Sequence, residues 1–343
     1  VSSARWVLHV DLDQFIAAVE VLRHPELAGR PLVVGGSADP GERAVVATAS
    51  YEAREFGVHS GMPLRLAARR CPDAVFLPTD RDAYENASAQ VMTVLRDVGV
   101  VVEVLGWDEA FLGAETDDPE ALARDIQRAV RERTRLSCTV GIGDNTLRAK
   151  MATELGKPAG MFRLTRANWF EVMGDRPTDA LWGIGRKTAR RLAGLGLSTV
   201  AQLAEASPRR LGEQLGPTMG PWYVRSARGI GREEVVGSPY VPRSRSRETT
   251  FQRNLDDWAQ IRAEVATLAR RVSVDVAEEG RPAVRVAVKV RFAPFFTQTR
   301  STTLRSATSD PGEIEAAALE VVERFEHDRP VRLLGVRAEF APP

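Results

Sequence analysis

The sequence has little cysteine, little histidine and hardly any lysine. Cys71 and Cys138 are the only thiols among 343 residues and show no metal-type spacing. They exclude a disulfide framework, and buried thiols in a reducing cytoplasm are the expectation. The four histidines, His9, His24, His59 and His327, are scattered along the chain, which argues against a zinc site. Lys150, Lys157, Lys187 and Lys289 are the only lysines among 47 basic residues, so arginine carries nearly all the positive charge. No apolar run reaches the ~18 residues of a membrane-spanning helix. Val1 to Trp6 lack the basic-then-apolar pattern of a signal peptide. What remains is a chain with 27% charged and 43% hydrophobic residues, a globular composition with length for two or more cores.

Charge is unevenly spread although the net is only +1. Residues 1–175 sum to −6, residues 176–232 to +7 and residues 243–305 to +6. An acidic half followed by two basic blocks suggests metal chemistry first and polyanion binding second.

The chain is organised around Val7-Leu8-His9-Val10-Asp11-Leu12-Asp13-Gln14-Phe15-Ile16. It reads as a buried strand that ends in acids. A carboxylate is costly inside a core and useful at a sheet edge, where it can hold a cation. Further on, Thr48 or Ser50 can cap a short helix on which Tyr51 and Arg54 share a face. A hydroxyl, a phenol and a guanidinium together suit a polyphosphate. Residues 82–98 and 119–134 read as amphipathic helices. Between two strands lies Gly106-Trp107-Asp108-Glu109, a tight reversal at which adjacent acids can point the same way. Asn145 caps a helix that carries Lys150, and Lys157-Pro158-Ala159-Gly160 closes it. Asp11, Asp108 and Glu109 can therefore share one edge of a sheet. Three such carboxylates suit paired hard cations and in-line phosphoryl or nucleotidyl transfer. Lys157 and Arg54 would balance the charge of a triphosphate.

Five stretches now occur in order: His-Val-Asp-Leu-Asp-Gln-Phe at 9–15, Ala-Thr-Ala-Ser-Tyr-Glu-Ala-Arg at 47–54, Trp-Asp-Glu-Ala-Phe-Leu at 107–112, Thr-Val-Gly-Ile at 139–142 and Gly-Lys-Pro-Ala-Gly at 156–160. In these the chain resembles the Y-family translesion DNA polymerases, in the DNA polymerase IV branch. The resemblance implies an α+β multidomain fold: a ferredoxin-like palm (1–12 and 77–167), inserted fingers (13–76), a small helical thumb with a helix-hairpin-helix (168–232), a linker (233–242) and a β-α-β-β-α-β little finger (243–343). It implies that Asp11, Asp108, Glu109 and the Leu12 carbonyl hold two Mg²⁺ ions, with Mn²⁺ as the alternative. Thr48, Tyr51, Arg54 and Lys157 would hold the incoming triphosphate, with Gln14, Phe15 and Ile16 lining the nucleotide site. Asp13 is given a structural role. The implied partners are primer–template DNA and nucleoside triphosphates, with no membrane and no need for more than a monomer.

Three departures stand out. The residue after the motif phenylalanine is usually aromatic and lies under the sugar, where it excludes a 2′-hydroxyl. Here it is Ile16, so ribonucleotides should enter more readily. Gly106-Trp107 replaces a small polar pair. The last strand runs straight into Ala341-Pro342-Pro343, where many members carry a sliding-clamp peptide, so the clamp contact stays open.

In the +7 block, Gly183-Ile184-Gly185 precedes Arg186 and Lys187. Glycines at such a turn let backbone amides and a helix start approach a phosphate. In the second basic block Arg243, Arg245 and Arg247 alternate with serines, which as a strand would put them on one face. Arg285, Lys289 and Arg291 alternate with valines. The expectation is a sheet covered by helices on one side, with an open, basic, hydroxyl-rich face for duplex DNA on the other. A nucleotide cyclase could share a palm with paired acids but would not need the basic C-terminal sheet. A non-catalytic DNA-binding scaffold would not need the three acids.

Overall fold

The computed structural model describes residues 4–342. The ends of the palm and little-finger spans, Val1 to Ser3 and Pro343, lie outside the described residues. The chain forms two compact units: the first extends to Pro239 and the second begins at Tyr240, with Gly41–Arg43 grouping with the second.

In the first unit, β1 (Arg5–Leu12) leads into α1 (Phe15–Arg23), β2 (Leu32–Val34), β3 (Thr48–Ala49), α2 (Tyr51–Glu55), α3 (Leu64–Arg70) and β4 (Val75–Leu77). Strands β2, β3 and β4 form a small sheet of their own. Next come α4 (Arg81–Arg96), β5 (Val101–Val104), β6 (Glu109–Glu115), α5 (Pro119–Thr134), β7 (Cys138–Gly143), α6 (Thr146–Gly156) and β8 (Met161–Leu164). The main sheet runs β5-β6-β1-β7-β8. Its first four strands have the ferredoxin-like order, with β8 added parallel to β7. Asp118 caps α5 on the Ala121 N–H and Pro119 follows at its first turn, where a missing N–H costs nothing.

The period of two along β1 decides which side chains meet. Leu8, Val10 and Leu12 point into the core built by Val91, Leu95, Ile126 and Val130 of α4 and α5. Val7 points the other way, packing with Phe111 of β6 and Ala149 of α6. His9 and Asp11 share that second face with Val7. Helix α6 lies close against it because β7 presents glycine: a Cβ at Gly141 would stand 2.0 Å from the Ala149 carbonyl oxygen.

Small helices complete the first unit: α7 (Trp169–Met173), α8 (Arg186–Ala193), α9 (Val200–Glu205), α10 (Pro208–Leu215) and α11 (Met219–Ala227). The element just before the Gly183 turn is a three-residue 3₁₀ turn, Thr178–Ala180, rather than a full helix.

The second unit runs β9 (Ser244–Leu255), α12 (Trp258–Glu279), β10 (Ala283–Phe292), β11 (Phe296–Thr308), α13 (Pro311–Val322) and β12 (Val331–Phe340). Its sheet is antiparallel throughout, in the order β11-β10-β12-β9. Val286, Val288 and Val290 face both helices. Asp257 caps α12 through the Ala259 N–H. Among the described residues no helix is long and apolar enough to cross a membrane, and both cysteines are buried and free.

Candidate active site

Antiparallel pairing places Asp11 directly opposite Glu109 on the face that carries α6. Asp108 sits one residue earlier, at the end of the β5–β6 turn, and its carbonyl accepts from the Leu12 N–H at 2.8 Å. Oxygen and nitrogen atoms of His9, Asp11 and Glu109 lie within 4.8 Å of one another. Glu109 is already inside β6; the structure brings the two acids close by the strand register and the turn together.

The electrostatics divide the three acids. Burial, and then the charge of Glu109, raise Asp108 above the usual carboxylate range. Burial also raises Asp11, against the pull of Lys157. Glu109 goes the other way, down to about 2, because His9 and Lys150 both hydrogen-bond it. His9 is buried and held below its ordinary value by that burial. In the tautomer that donates Nε2–H to Glu109 Oε2 at 3.1 Å, its Nδ1 accepts from the Thr153 hydroxyl at 2.8 Å.

A cleft of about 320 Å³ opens beside the acids, lined by Asp11, Leu12, Ile16, Thr48, Arg54 and Asp108 among others. Gln14, Phe15, Trp107 and Lys157 also line it. Lys157 Nζ lies 2.9 Å from Asp11 Oδ1. Burial works against its ammonium, but Asp11 and Glu154 outweigh that and hold it above its ordinary value. Arg54 donates to the Ala49 carbonyl and lies over the Tyr51 ring, 4.9 Å from its centre. Ser50 caps α2 through the Ala53 N–H. Tyr51 does not line the cleft. Its N–H is held by the Gln14 side chain at 2.5 Å, and its hydroxyl donates to Asp13 at 3.1 Å.

Asp13 is a hub. It is only 4% exposed, and besides Tyr51 it accepts from the hydroxyls of Ser137 (2.5 Å) and Thr139 (2.8 Å) and the N–H of Ala159 (3.0 Å). Sequence reasoning missed His9, Lys150, Thr153 and these Asp13 partners; for the two lysine and histidine side chains, helical and strand spacing from known motif residues was the available signal.

The proposed DNA contacts fall out less evenly. Gly183 has φ +84°, and a Cβ there would meet the Trp222 ring at 2.5 Å, so glycine is required on two counts. Gly185 is the residue before α8, and Arg186 and Lys187 are its first two. Lys289 bonds Glu248, and Arg291 bonds Thr297. Register across β10 and β11 puts Arg285, Lys289 and Arg291 opposite Thr303, Thr299 and Thr297, on the helix-free face. Arg245 and Arg247 do share a face, but it is the helix-covered one: they lie opposite Ala338 and Val336, which point into the core. Because β9 is an edge strand, their long side chains reach Glu279 and Asp275 on α12. Arg243 precedes β9.

The sequence profile of the impB/mucB/samB family matches residues 10–154, and that of the family's C-terminal domain matches residues 242–341. The chain is 52% identical over 344 residues to DNA polymerase IV 2 of Mycobacterium tuberculosis, covering 99% of both chains. Among solved structures it superposes on a Y-family DNA polymerase chimera of Dbh and Dpo4 with a TM-score of 0.83, at 26% identity, covering 97% of this chain and 98% of that one. The chain belongs to the Y-family DNA polymerases, in the DNA polymerase IV branch. It also superposes on an insertion ternary complex of Dbh DNA polymerase (TM-score 0.65, 25% identity, 98% of each chain). This polymerase is thus a DNA-directed DNA polymerase for translesion synthesis, of a kind that uses divalent metal ions.

Proposed function

We propose that Asp11, Asp108 and Glu109, with the Leu12 carbonyl, hold two Mg²⁺ ions. The donor set fits: three carboxylates supply hard oxygen ligands, and the His9 nitrogens are already engaged by Glu109 and Thr153. When bound, such ions supply Lewis-acid stabilisation of charge on the reacting phosphate. The observation that carries the reading is the pairing of Asp11 with Glu109 beside a cleft that also holds Lys157 and Arg54.

The residues of the chain then have distinct tasks. Lys157 and Arg54 neutralise the triphosphate, with Thr48 beside them on the cleft wall. Tyr51 acts through position: its ring carries the Arg54 guanidinium, and its hydroxyl is tied to Asp13. The primer 3′-hydroxyl attacks the α-phosphate and pyrophosphate leaves. The palm, fingers, thumb, linker and little-finger spans given above are our division of the chain. The Gly183–Gly185 turn with Arg186 and Lys187, and the helix-free face with Lys289 and Arg291, are proposed to hold duplex phosphates without reading sequence. For Arg245 and Arg247 that role needs release from α12.

Ile16 lines the cleft, and in our reading it lies under the sugar, where an aromatic ring would exclude a 2′-hydroxyl. Its shorter branched side chain supports relaxed sugar choice, with ribonucleotides entering readily. Primer extension with Asp108→Ala as control tests the assignment of the acids. Full extension by the Asp108→Ala variant would overturn it.

A further inference from the structure

Lys150 stands between the acid cluster and the turn at Gly183. Its ammonium hydrogen-bonds the Glu109 carboxylate and lies 3.4 Å from His9 Nε2. On its other side the Trp182 ring centre is 5.5 Å away, within the ~6 Å reach of a cation–π contact. The next residue on α6 holds the same turn, because the Trp182 N–H donates to Met151 Sδ at 3.4 Å. One turn of α6 therefore touches both the Asp11–Glu109 face and the residue that opens the Gly183 turn.

None of the roles given above uses Lys150. An ammonium has three N–H donors and no acceptor. Glu109 takes one of them and an indole face takes no hydrogen bond in line, so a donor is left for an incoming oxygen. The side chain is 15% exposed, while Trp182 is half exposed, so an anion can approach along the indole.

We propose that Lys150 is the positioning residue for the primer end. It donates to the terminal internucleotide phosphate of the primer while it holds Glu109 in place, and Trp182 forms the flat wall beside that phosphate. This rests on the assignment of Asp11, Asp108 and Glu109 as the catalytic acids. It makes Lys150 the link between the DNA seat and the Glu109 carboxylate.

The test is binding of a fluorescent primer–template over a salt series, read by anisotropy without nucleotide. Lys150→Met should lower the slope of log K against log salt by about 1, the value for one lost phosphate contact. Lys150→Arg should keep the slope. A primer whose terminal linkage is a neutral methylphosphonate should show the same loss with the unaltered enzyme and no further loss with Lys150→Met, because both remove one contact. The methylphosphonate primer needs no protein variant, so the outcome does not depend on how the variants fold. If the unaltered enzyme binds that primer with an unchanged slope, or if the two losses add, the assignment of Lys150 is wrong. Extension of an ordinary primer by the unaltered enzyme, abolished by Asp108→Ala, keeps the assignment of the acids intact in that event; failure of that control sinks both.

Discussion

The Tyr51 hydroxyl donates to the Asp13 carboxylate, at 3.1 Å, across the junction between the short helix α2 and the end of β1. Burial, and then the Asp13 charge, push the Tyr51 phenol up to about 12, so it stays a donor at any working pH. Asp13 in turn fixes Ala159, two residues after Lys157. One buried acid thus ties together the segments that carry Arg54 and Lys157, both of which line the cleft beside the acids. In Asp13→Asn the hydroxyls can rotate to meet the amide, but charge-assisted bonds worth about 1.5–3 kcal/mol each are weakened. The expected result is a lower denaturation midpoint and a raised KM for nucleotide with a smaller change in kcat. An unchanged KM would show that Asp13 does not set the cleft. Tyr51→Phe, which removes one of the four donors to that carboxylate, should cost about 1.5–3 kcal/mol of stability.

Asp108 carries an electrostatic penalty in the folded state. Burial and Glu109 raise its pKa, so the folded state favours the protonated form and its contribution to stability is lost as pH rises. A charged Asp108 is therefore disfavoured by its surroundings. Asp108→Asn removes the charge at nearly constant shape and should stabilise the free protein by about 0.5–2 kcal/mol, while abolishing primer extension. Thermal unfolding without divalent ions checks this. A destabilised Asn variant would mean that Asp108 is well compensated by partners such as Lys150 and Lys157.

The reach of α6 to the acids depends on Gly141. A Cβ there would stand 2.0 Å from the Ala149 carbonyl oxygen and 2.4 Å from the Thr153 backbone nitrogen. Backbone atoms cannot swing aside as a side-chain tip can. Gly141→Ala should therefore destabilise by about 1–3 kcal/mol through overpacking and push Thr153 and Lys150 away from His9 and Glu109. Chemical denaturation and the salt-dependent binding assay read the two effects separately. If stability is kept, the helix has room that the geometry denies.

Some of this was legible in the sequence and some was not, for physical reasons. Helix α5 was visible because a cap, a proline and a 3.6-residue apolar period agree over Pro119–Thr134. Asp11, Asp108 and Glu109 could be grouped from the sequence because each falls at a strand end or turn, and the register of β1 on β6 brings Asp11 opposite Glu109. The Asp13 partners were not: Ser137, Thr139 and Ala159 lie 124 to 146 residues away, and nothing local marks a hydroxyl as an acid's donor. Strands β4 and β8 were missed because three or four residues are too few to show a period. Arg245 and Arg247 were placed on the open face because alternation gives a shared face but not which one. Only the edge position of β9, beside the acids of α12, settles that.

Ile16 and Trp107 both line the cleft beside the acids, which makes each a candidate for the control of sugar choice proposed above. Ile16 lacks the flat ring that would meet a 2′-hydroxyl. Trp107 has a ring, but it is engaged from outside the cleft, with Arg81 5.3 Å from its centre and Tyr84 at 6.5 Å. A wall anchored in that way is poorly placed to close on the sugar. Ile16→Phe should therefore raise the preference for deoxyribonucleotides, on the order of 10–200-fold, the range for a small change of shape in an apolar pocket. Trp107→Ala should change nucleotide KM without a comparable change in that preference. Single-nucleotide insertion kinetics with paired dNTP and rNTP decide between them. If the unaltered enzyme already discriminates as strongly as Ile16→Phe, and Trp107→Ala destroys that discrimination, then the tryptophan is the gate and Ile16 is a bystander.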